Sequence, residues 1–392
     1  MTAAIPVPER LADDVVLIRR DLHMHPETAF TEHRTASIVA ARLRRLGYDV
    51  HEGIGKTGVV GVLSGAQSGR TFMLRADMDA LPITEETTHS YRSQIDGVMH
   101  ACGHDAHVAI LLGAASLIAQ RRDELAGTVC LVFQPAEEGA GGAKVMLDDG
   151  LFERFAVERA YGLHVSSKYP TGELGFRAGP MYASSDSIEI DVLGVGGHGS
   201  APHDAVDPIA AAATFITSVQ QVVSRQIDPL EPAVVTIGAI AGGTIHNVIP
   251  RTCRMLGTVR AFSEEVRETM ADRIERVLRA ACDAAGATYA FSYFDRYPVT
   301  ANDTEQTKYV RNLAHSTFGD ARVVDATKLM GAEDFSFFAQ RVPACFYTLG
   351  CSGNPQTSHP HHSTLFDLDE ACLPTGVAMM TALALDAGRN AP

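Results

Sequence analysis

The stretch VAILLGAASLIAQ, residues 108–120, is apolar nearly all round, which is typical of a helix buried on every side. It lies between two strand-like runs, TFMLRADMDAL at 71–81 and TVCLVFQ at 128–134. Further apolar runs at 57–63 and 160–165 also indicate strands. Strands that alternate with helices predict an α/β domain with a mostly parallel sheet.

The two ends of the chain are predicted to extend this domain. Apolar residues at helical spacing predict a first helix over residues 11–22, and a second helix is predicted over residues 32–46. Near the other end, AEDFSFFAQ (332–340) and ACFYTLG (344–350) are predicted to form the last helix and the last strand.

The pattern changes after residue 182. SIEIDVLGV (187–195) alternates like a half-exposed strand, and together with the elements that follow it gives the order βαββαβ. This order is typical of a ferredoxin-like α+β domain, a small antiparallel sheet with both helices on one face. We therefore predict an α/β domain formed by residues 1–181 and 296–392, interrupted by an inserted domain at residues 182–295.

Composition excludes several classes of protein. Of the 392 residues, 46% are hydrophobic and 20% are charged, as in a soluble globular protein. The net charge of −14 argues against nucleic-acid binding. No membrane span or signal peptide is expected, which favours the cytoplasm. The seven cysteines have no paired spacing and therefore do not form a disulfide framework.

The octapeptide HACGHDAH, residues 100–107, indicates a metal site, because thiolate and imidazole are ligands of zinc-type ions. Three other segments carry ligand-type residues: QPAEEGAGG (134–142), YGLHV (161–165) and HPHHSTLFD (359–367). The paired glutamates follow an apolar strand, where open α/β sheets place their ligands. One glutamate can bind a metal while the other moves a proton.

Eight motifs in this chain resemble those of the M20 metallopeptidase clan. They are MHACGHDAH, QPAEEG, YGLHV, GGHGSAPH, NVIP, GTVR, GAEDF and HHSTLFDLDE, and they follow one another in the clan's order. The match is closest to the amidohydrolase branch of N-acyl-amino-acid amidohydrolases, hippurate hydrolases and plant auxin-conjugate hydrolases. The resemblance implies cleavage of the amide bond of N-acyl amino acids or similar small conjugates. It also implies two divalent metal ions per subunit (Zn, Mn, Co or Ni) and a homodimer or homotetramer. Residues 1–181 and 296–392 would then be the catalytic domain, and residues 182–295 a lid and dimerisation domain.

The resemblance also implies roles for individual residues. The implied metal ligands, with the Cys102 thiolate as bridge, are Cys102, His104, Glu138, His164 and His362. Glu137 matches the general base, and His198 matches a residue that reaches the neighbouring subunit's active site and stabilises the oxyanion. Asn247 and Arg260 match substrate contacts. Asp77 and Asp79 are expected to orient a ligand or to fix a loop. In much of the wider clan the position of Asp77 is a metal-binding histidine.

Several of these residues have alternative interpretations. Cys102 could instead be a nucleophile, and Glu137 could instead cap the next helix. His359 or His361 could replace His362 as ligand, and His107 is left out of the ligand set. His198 could be a histidine of a glycine turn, and Arg260 a salt-bridge partner.

Alternatives also exist for the whole protein. Within the clan, the alternative activity is that of a dipeptidase or aminopeptidase. From other classes, the alternatives are a metal-binding protein without catalysis and a thiol hydrolase. Acylated substrates, free-amine substrates, chelators and thiol alkylation would separate these functions.

Overall fold

A computed structural model describes residues 5–392 of the protein. Its α-helices are α1 (Glu9–Met24), α2 (His33–Arg45), α3 (His104–Gln120), α4 (Gly142–Asp148), α5 (Leu151–Phe155), α6 (Pro208–Gln226), α7 (Glu264–Ala285), α8 (Thr304–Phe318), α9 (Ser336–Ala339) and α10 (Leu373–Asn390). Its strands are β1 (Asp49–Ile54), β2 (Gly58–Ser64), β3 (Gln67–Asp77), β4 (Ala126–Gln134), β5 (Arg159–Pro170), β6 (Leu174–Phe176), β7 (Gly179–Tyr182), β8 (Ser185–Leu193), β9 (Gly197–His198), β10 (Ala233–Gly242), β11 (Val248–Ile249), β12 (Thr252–Ala261), β13 (Thr288–Tyr297), β14 (Thr300–Asn302), β15 (Val323–Asp325) and β16 (Ala344–Ser352).

The chain divides into two compact units. The first contains the chain up to Gly179, Ala301–Thr327 and Asp334–Pro392, and the second contains Pro180–Thr300 and Lys328–Glu333. The insert was predicted at residues 182–295, and its second segment, Lys328–Glu333, was not predicted. That segment is held within the second unit by backbone hydrogen bonds, because the Leu329 N–H donates to the carbonyl of Met181 at 2.9 Å.

The first unit is built on an eight-stranded sheet of order β1-β2-β4-β3-β5-β16-β6-β15. Its central strands β4, β3, β5 and β16 are parallel, whereas β1, β2 and β6 make antiparallel pairs. The predicted α/β domain with a mostly parallel sheet is therefore confirmed. Asp77 pairs with Gln134 across β3 and β4, and His164 pairs with Thr348 across β5 and β16. The carboxyl ends of these strands bring chemically active side chains to one edge of the sheet.

Helix α3 is the centre of the core, as its all-apolar sequence predicted. Fourteen of its residues are buried, including the run from His104 to Ala115. Gly113 of α3 packs so closely on α1 and α10 that an added Cβ would lie 2.7 Å from Val15 and 2.8 Å from Val377. The glycine therefore permits a close helix approach that a larger residue would prevent.

The prediction of the last helix was wrong. Residues 332–340 contain only the four-residue α9, and Asp334 just before it is held by Gln134 and by the Ala143 N–H. The last helix is α10, which packs in the core with α3. The expectation that no stretch could span a membrane also needs correction. Glu370–Asn390 is long and apolar enough to do so, but 78% of that window is buried inside the protein, as in a core helix.

The second unit contains a four-stranded antiparallel sheet of order β10-β12-β8-β13. Helices α6 and α7 share a single hydrophobic core with one face of this sheet. Asp207 caps α6 by accepting hydrogen bonds from the N–H groups of Ile209 and Ala210, as expected of an aspartate before a helical proline. Strands β9 and β11 form a separate two-stranded ribbon.

Candidate metal centre

The ligand-type residues of the first unit come from four parts of the chain. Cys102 and His104 lie at the start of α3, on either side of Gly103, whose φ is +88°. A Cβ at Gly103 would lie 2.4 Å from a methyl group of Val165, so both the conformation and the space require glycine. His164 lies on β5, Glu138 follows β4, and His362 lies in the loop before α10. The sequence-predicted ligands therefore converge.

These five residues form two triads that share one sulfur atom. The ligand atoms of Cys102, His104 and His164 lie within 4.8 Å of one another, as do those of Cys102, Glu138 and His362. Two cations, one in each triad, would thus have the Cys102 thiolate as common ligand. This is the arrangement that the family resemblance implied.

The spacing within the triads fits a metal ion. Cys102 Sγ lies 3.5 Å from His164 Nε2, and His362 Nε2 lies 3.2 Å from Glu138 Oε1. Two tetrahedral ligands with bonds of about 2.3 Å to sulfur and about 2.0 Å to nitrogen are separated by about 3.5 Å. The buried His104 Nε2 atom has no hydrogen-bond partner among residues 5–392, and the buried Glu138 Oε1 atom lies against the His362 ring without a well-formed hydrogen bond. Buried polar atoms are normally satisfied, and a cation in each triad would satisfy the atom that belongs to it.

The tautomers of two histidines direct their lone pairs into the site. His104 Nδ1 donates to the backbone carbonyl of Asp79 at 2.8 Å, and His164 Nδ1 donates to the carbonyl of Val165 at 2.7 Å. Each Nε2 is therefore unprotonated in the neutral ring. Metal-bound histidines are held by this same type of outer hydrogen bond.

His107 is excluded as a ligand by its own hydrogen bonds. Its Nε2 accepts the N–H of Val165 at 2.9 Å, so its proton is on Nδ1, which donates to the Asp77 carboxylate. Asp77 also forms an ion pair of 2.7 Å with the buried Arg75. Asp77, which occupies the position of a metal-binding histidine in much of the clan, is thus held by Arg75 and His107. Both ring nitrogens of His107 are in use.

The electrostatic field of the centre favours cations. Burial raises the pKa of the Cys102 thiol well above its usual value, and the carboxylates of Glu138 and Glu137 raise it further. Burial would lower the pKa of His104, but the carboxylate of Asp77 raises it to about 10. Both groups hold protons that a cation would displace. A thiol with so high a pKa also lacks the thiolate character of a nucleophilic cysteine.

Glu137 lies beside both triads without being a member of either. Its ligand atom is within 4.8 Å of those of His104 and Glu138, and only 6% of the residue is exposed. Its Oε1 accepts the N–H of Asp334 at 3.3 Å. It does not cap a helix, because the N-cap of α4 is Gly141. The carboxylate is therefore placed to act on a molecule bound at the centre.

The loop that carries both glutamates is fixed by Asp79. Its two carboxylate oxygens accept the N–H groups of Glu137 and Glu138, each at 3.0 Å, while its backbone carbonyl orients His104. Asp79 thus positions three functional residues at once, in agreement with the role expected from the sequence.

His362 is distinguished from its neighbours by geometry. It has a φ of +66°, which is uncommon for a residue other than glycine, and its N–H donates to the carbonyl of Ala101 at 2.8 Å. The His361 ring packs instead on Phe366, with ring centroids 4.7 Å apart, and burial lowers its pKa to about 3. His359 belongs to no ligand cluster among the described residues.

The remaining predicted residues belong to the second unit. His198 pairs with Val248 on the β9–β11 ribbon, and Asn247 directly precedes β11, where its carbonyl accepts the Gly199 N–H at 2.8 Å. His198 Nδ1 accepts the Ser200 N–H at 3.1 Å, so the neutral ring carries its proton on the exposed Nε2. Arg260 lies on β12, and its Nη1 is buried without a hydrogen-bond partner among residues 5–392. The salt-bridge interpretation of Arg260 is thus not supported.

Two buried residues were not singled out from the sequence. Arg75 donates to Gln134 Oε1 at 2.8 Å and pairs with Asp334 at 3.1 Å, so it joins β3 and β4 to the segment before α9. A charged residue inside the apolar run MLRAD was the available signal, because arginine is rarely buried without a partner. For Asp334, the sequence shows no feature that predicts this role other than its place in the motif GAEDF.

Comparison with known proteins agrees with this geometry. The profile of Peptidase family M20/M25/M40 matches residues 73–386. The chain is similar to thermostable carboxypeptidase 1 of Saccharolobus solfataricus, with 41% identity over 96% of this chain and 95% of the relative. It is similar to hippurate hydrolase of Campylobacter jejuni, with 42% identity over 84% and 86%, and to N-acetylcysteine deacetylase of Bacillus subtilis, with 38% identity over 95% and 96%. A solved structure of a dinuclear metal-binding M20 peptidase from Bacillus subtilis matches with a TM-score of 0.84 and 34% identity, over 96% of this chain and 98% of the other.

Proposed function

The chain belongs to Peptidase family M20/M25/M40, and on this premise we propose that it hydrolyses N-acyl amino acids or similar small amide conjugates. The family resemblance seen in the motifs is confirmed. The observation that carries the proposal is the pair of triads that share Cys102, with Glu137 beside them. Relatives named for the removal of benzoyl and acetyl groups from amino acids support this substrate class.

Glu137 is the proposed general base. Its carboxylate takes a proton from the attacking water and later delivers it to the nitrogen of the leaving amine. When bound, two divalent cations would lower the pKa of that water and polarise the scissile carbonyl. The Asp79 carboxylate holds the backbone of Glu137, and the Asp334 N–H orients its side chain, so the base is already in place before substrate binds.

Three residues of the second unit are proposed to contact the substrate. The exposed Nε2–H of His198 is a donor suited to the oxyanion that develops in the transition state. Arg260 is proposed to bind the substrate carboxylate, because its buried Nη1 has no acceptor among residues 5–392. Asn247, whose carbonyl accepts the N–H of Gly199 next to His198, is a further proposed contact.

We propose a homodimer in which His198 serves the active site of the neighbouring subunit. The edge strand β10 and the loop after it support this, because Ile240, Ile245 and Val248 are each more than half exposed. An open sheet edge with apolar side chains is a surface for pairing with another chain. A cytoplasmic location is supported by the seven free cysteines, since reducing compartments keep thiols unpaired.

A panel of substrates on metal-reconstituted protein tests the proposed function. N-benzoyl, N-acetyl and indolylacetyl amino acids should be hydrolysed, and chelators should stop the reaction reversibly. Dipeptides with a free amino group provide the matched comparison. If every acylated substrate is inert while manganese, cobalt or zinc is bound, the proposed function is wrong.

A peptidase acting at the carboxyl end of peptides is the second candidate. The relative named thermostable carboxypeptidase 1, at 41% identity over nearly the whole chain, favours it. The same panel separates the two functions, because a peptidase of this kind would cleave peptides of several residues faster than N-acyl amino acids.

A further inference from the structure

Helix α2 begins next to a buried carboxylate that the mechanism above does not use. Glu32 is the N-cap residue of α2 and has no exposed surface. Its Oε1 accepts the N–H of Phe30 at 3.0 Å and the N–H of Ala136 at 2.9 Å, while its Oε2 accepts the hydroxyl of Thr57. Burying a carboxylate costs free energy unless the group is hydrogen-bonded, and here three donors stabilise it.

The hydrogen bond from the Ala136 N–H links Glu32 to the proposed general base. Ala136 directly precedes Glu137, and its φ is +54°, a conformation that residues other than glycine rarely adopt. Such conformations persist only where surrounding structure imposes them, and they occur mainly at functional sites. The Glu32 carboxylate is the group that binds this amide.

Three consecutive amides of the loop are therefore held by buried carboxylates. Glu32 binds the N–H of Ala136, and Asp79 binds those of Glu137 and Glu138. The loop is also closed on itself, because the Gly142 N–H donates to the Ala136 carbonyl at 3.0 Å. Without Glu32, Ala136 has no side-chain acceptor and its backbone is free to leave the strained conformation.

We infer that Glu32 is a positioning residue, whose carboxylate acts through the Ala136 N–H to hold Glu137 in its reactive orientation. The expected effect on catalysis rests on the proposed function. Both glutamates keep their Asp79 contacts when Glu32 is removed, but Ala136 is directly bonded to Glu137 and lies one residue further from Glu138. Proton transfer should therefore suffer more than metal binding.

The test compares Glu32→Ala with a matched variant of the same helix start. Glu27 accepts the N–H groups of Arg34 and Thr35, each at 2.8 Å, so Glu27→Ala removes a cap of α2 without touching the catalytic loop. Glu32→Ala should lower kcat about 10- to 100-fold, with KM and metal content unchanged. Glu27→Ala should keep kcat within about threefold, although it also lowers thermal stability. Glu32→Gln should stay within about threefold of the wild type, because its amide oxygen can still accept the Ala136 N–H.

Amide hydrogen exchange provides a readout that does not need activity. Peptides covering residues 133–142 should exchange faster in Glu32→Ala and remain protected in Glu27→Ala. Equal exchange in both variants, or a kcat of Glu32→Ala no lower than that of Glu27→Ala, would overturn the inference. A wild-type enzyme that hydrolyses no acylated substrate would instead reject the proposed function, and the exchange data alone would then decide the role of Glu32.

Discussion

Replacing Glu137 with Gln removes one chemical property and leaves the geometry in place. The amide keeps an oxygen that can accept the Asp334 N–H, now at 3.3 Å, and the Asp79 contact to the backbone does not depend on the side chain. Neither metal triad contains Glu137. The variant should therefore fold normally and bind both cations.

The expected loss is that of a proton acceptor. A positioned general base contributes about 10²- to 10⁴-fold to the rate. At about 1.36 kcal/mol for each factor of ten, this corresponds to about 2.7–5.4 kcal/mol of transition-state stabilisation. The loss should appear in kcat, because the side chain acts on the water and not on substrate binding.

The assay is steady-state kinetics on an N-acyl amino acid, combined with metal analysis of the same sample. Glu138→Gln is the matched control, since it makes the same chemical change one residue later, in a triad with Cys102 and His362. That control should lose metal as well as activity. If Glu137→Gln kept more than about a tenth of the wild-type kcat, or lost metal as its neighbour does, Glu137 would not be the base.

Three further predictions address the surroundings of the centre. Asp79→Asn should lower kcat and metal affinity about 10- to 100-fold, because the side-chain oxygen of Asn can accept only one of the two loop N–H groups. Unchanged values would show that the loop keeps its conformation without Asp79. Metal binding at pH 7 should release about two to three protons, because Cys102, His104 and His362 all have raised pKa values and lose their protons to the cations; calorimetry in buffers of different ionisation enthalpy measures this number, and no release would contradict it. Mixing inactive His198→Ala and Glu137→Gln subunits should restore about a quarter of wild-type activity after exchange of subunits, whereas no recovery would mean that His198 does not act across a dimer.

The ligands of the centre could be predicted because their chemistry is visible in the sequence. Cys102, His104 and His164 are residue types that bind metals, and they lie in short motifs at predicted strand ends. The choice of His362 over its neighbours was based on resemblance alone, and the structure adds a physical reason in its left-handed backbone and its contact with Glu138.

The groups that position these ligands could not be predicted in the same way. Glu32 is an ordinary glutamate before a helix, and its partner Ala136 lies 104 positions away in the chain. A carboxylate that binds a backbone N–H leaves no pattern at the partner, since every residue except proline offers the same donor. The contacts of Asp334 before α9 were equally hidden, since its partner Gln134 lies 200 positions away in the chain.

Anomalous diffraction from crystals grown with manganese or zinc tests the central claim most directly. We expect two peaks per chain about 3.5–4 Å apart, one bound by His104 and His164, the other by Glu138 and His362, and both in contact with Cys102 Sγ. A single peak, or two ions that do not share the Cys102 sulfur, would contradict the proposed centre.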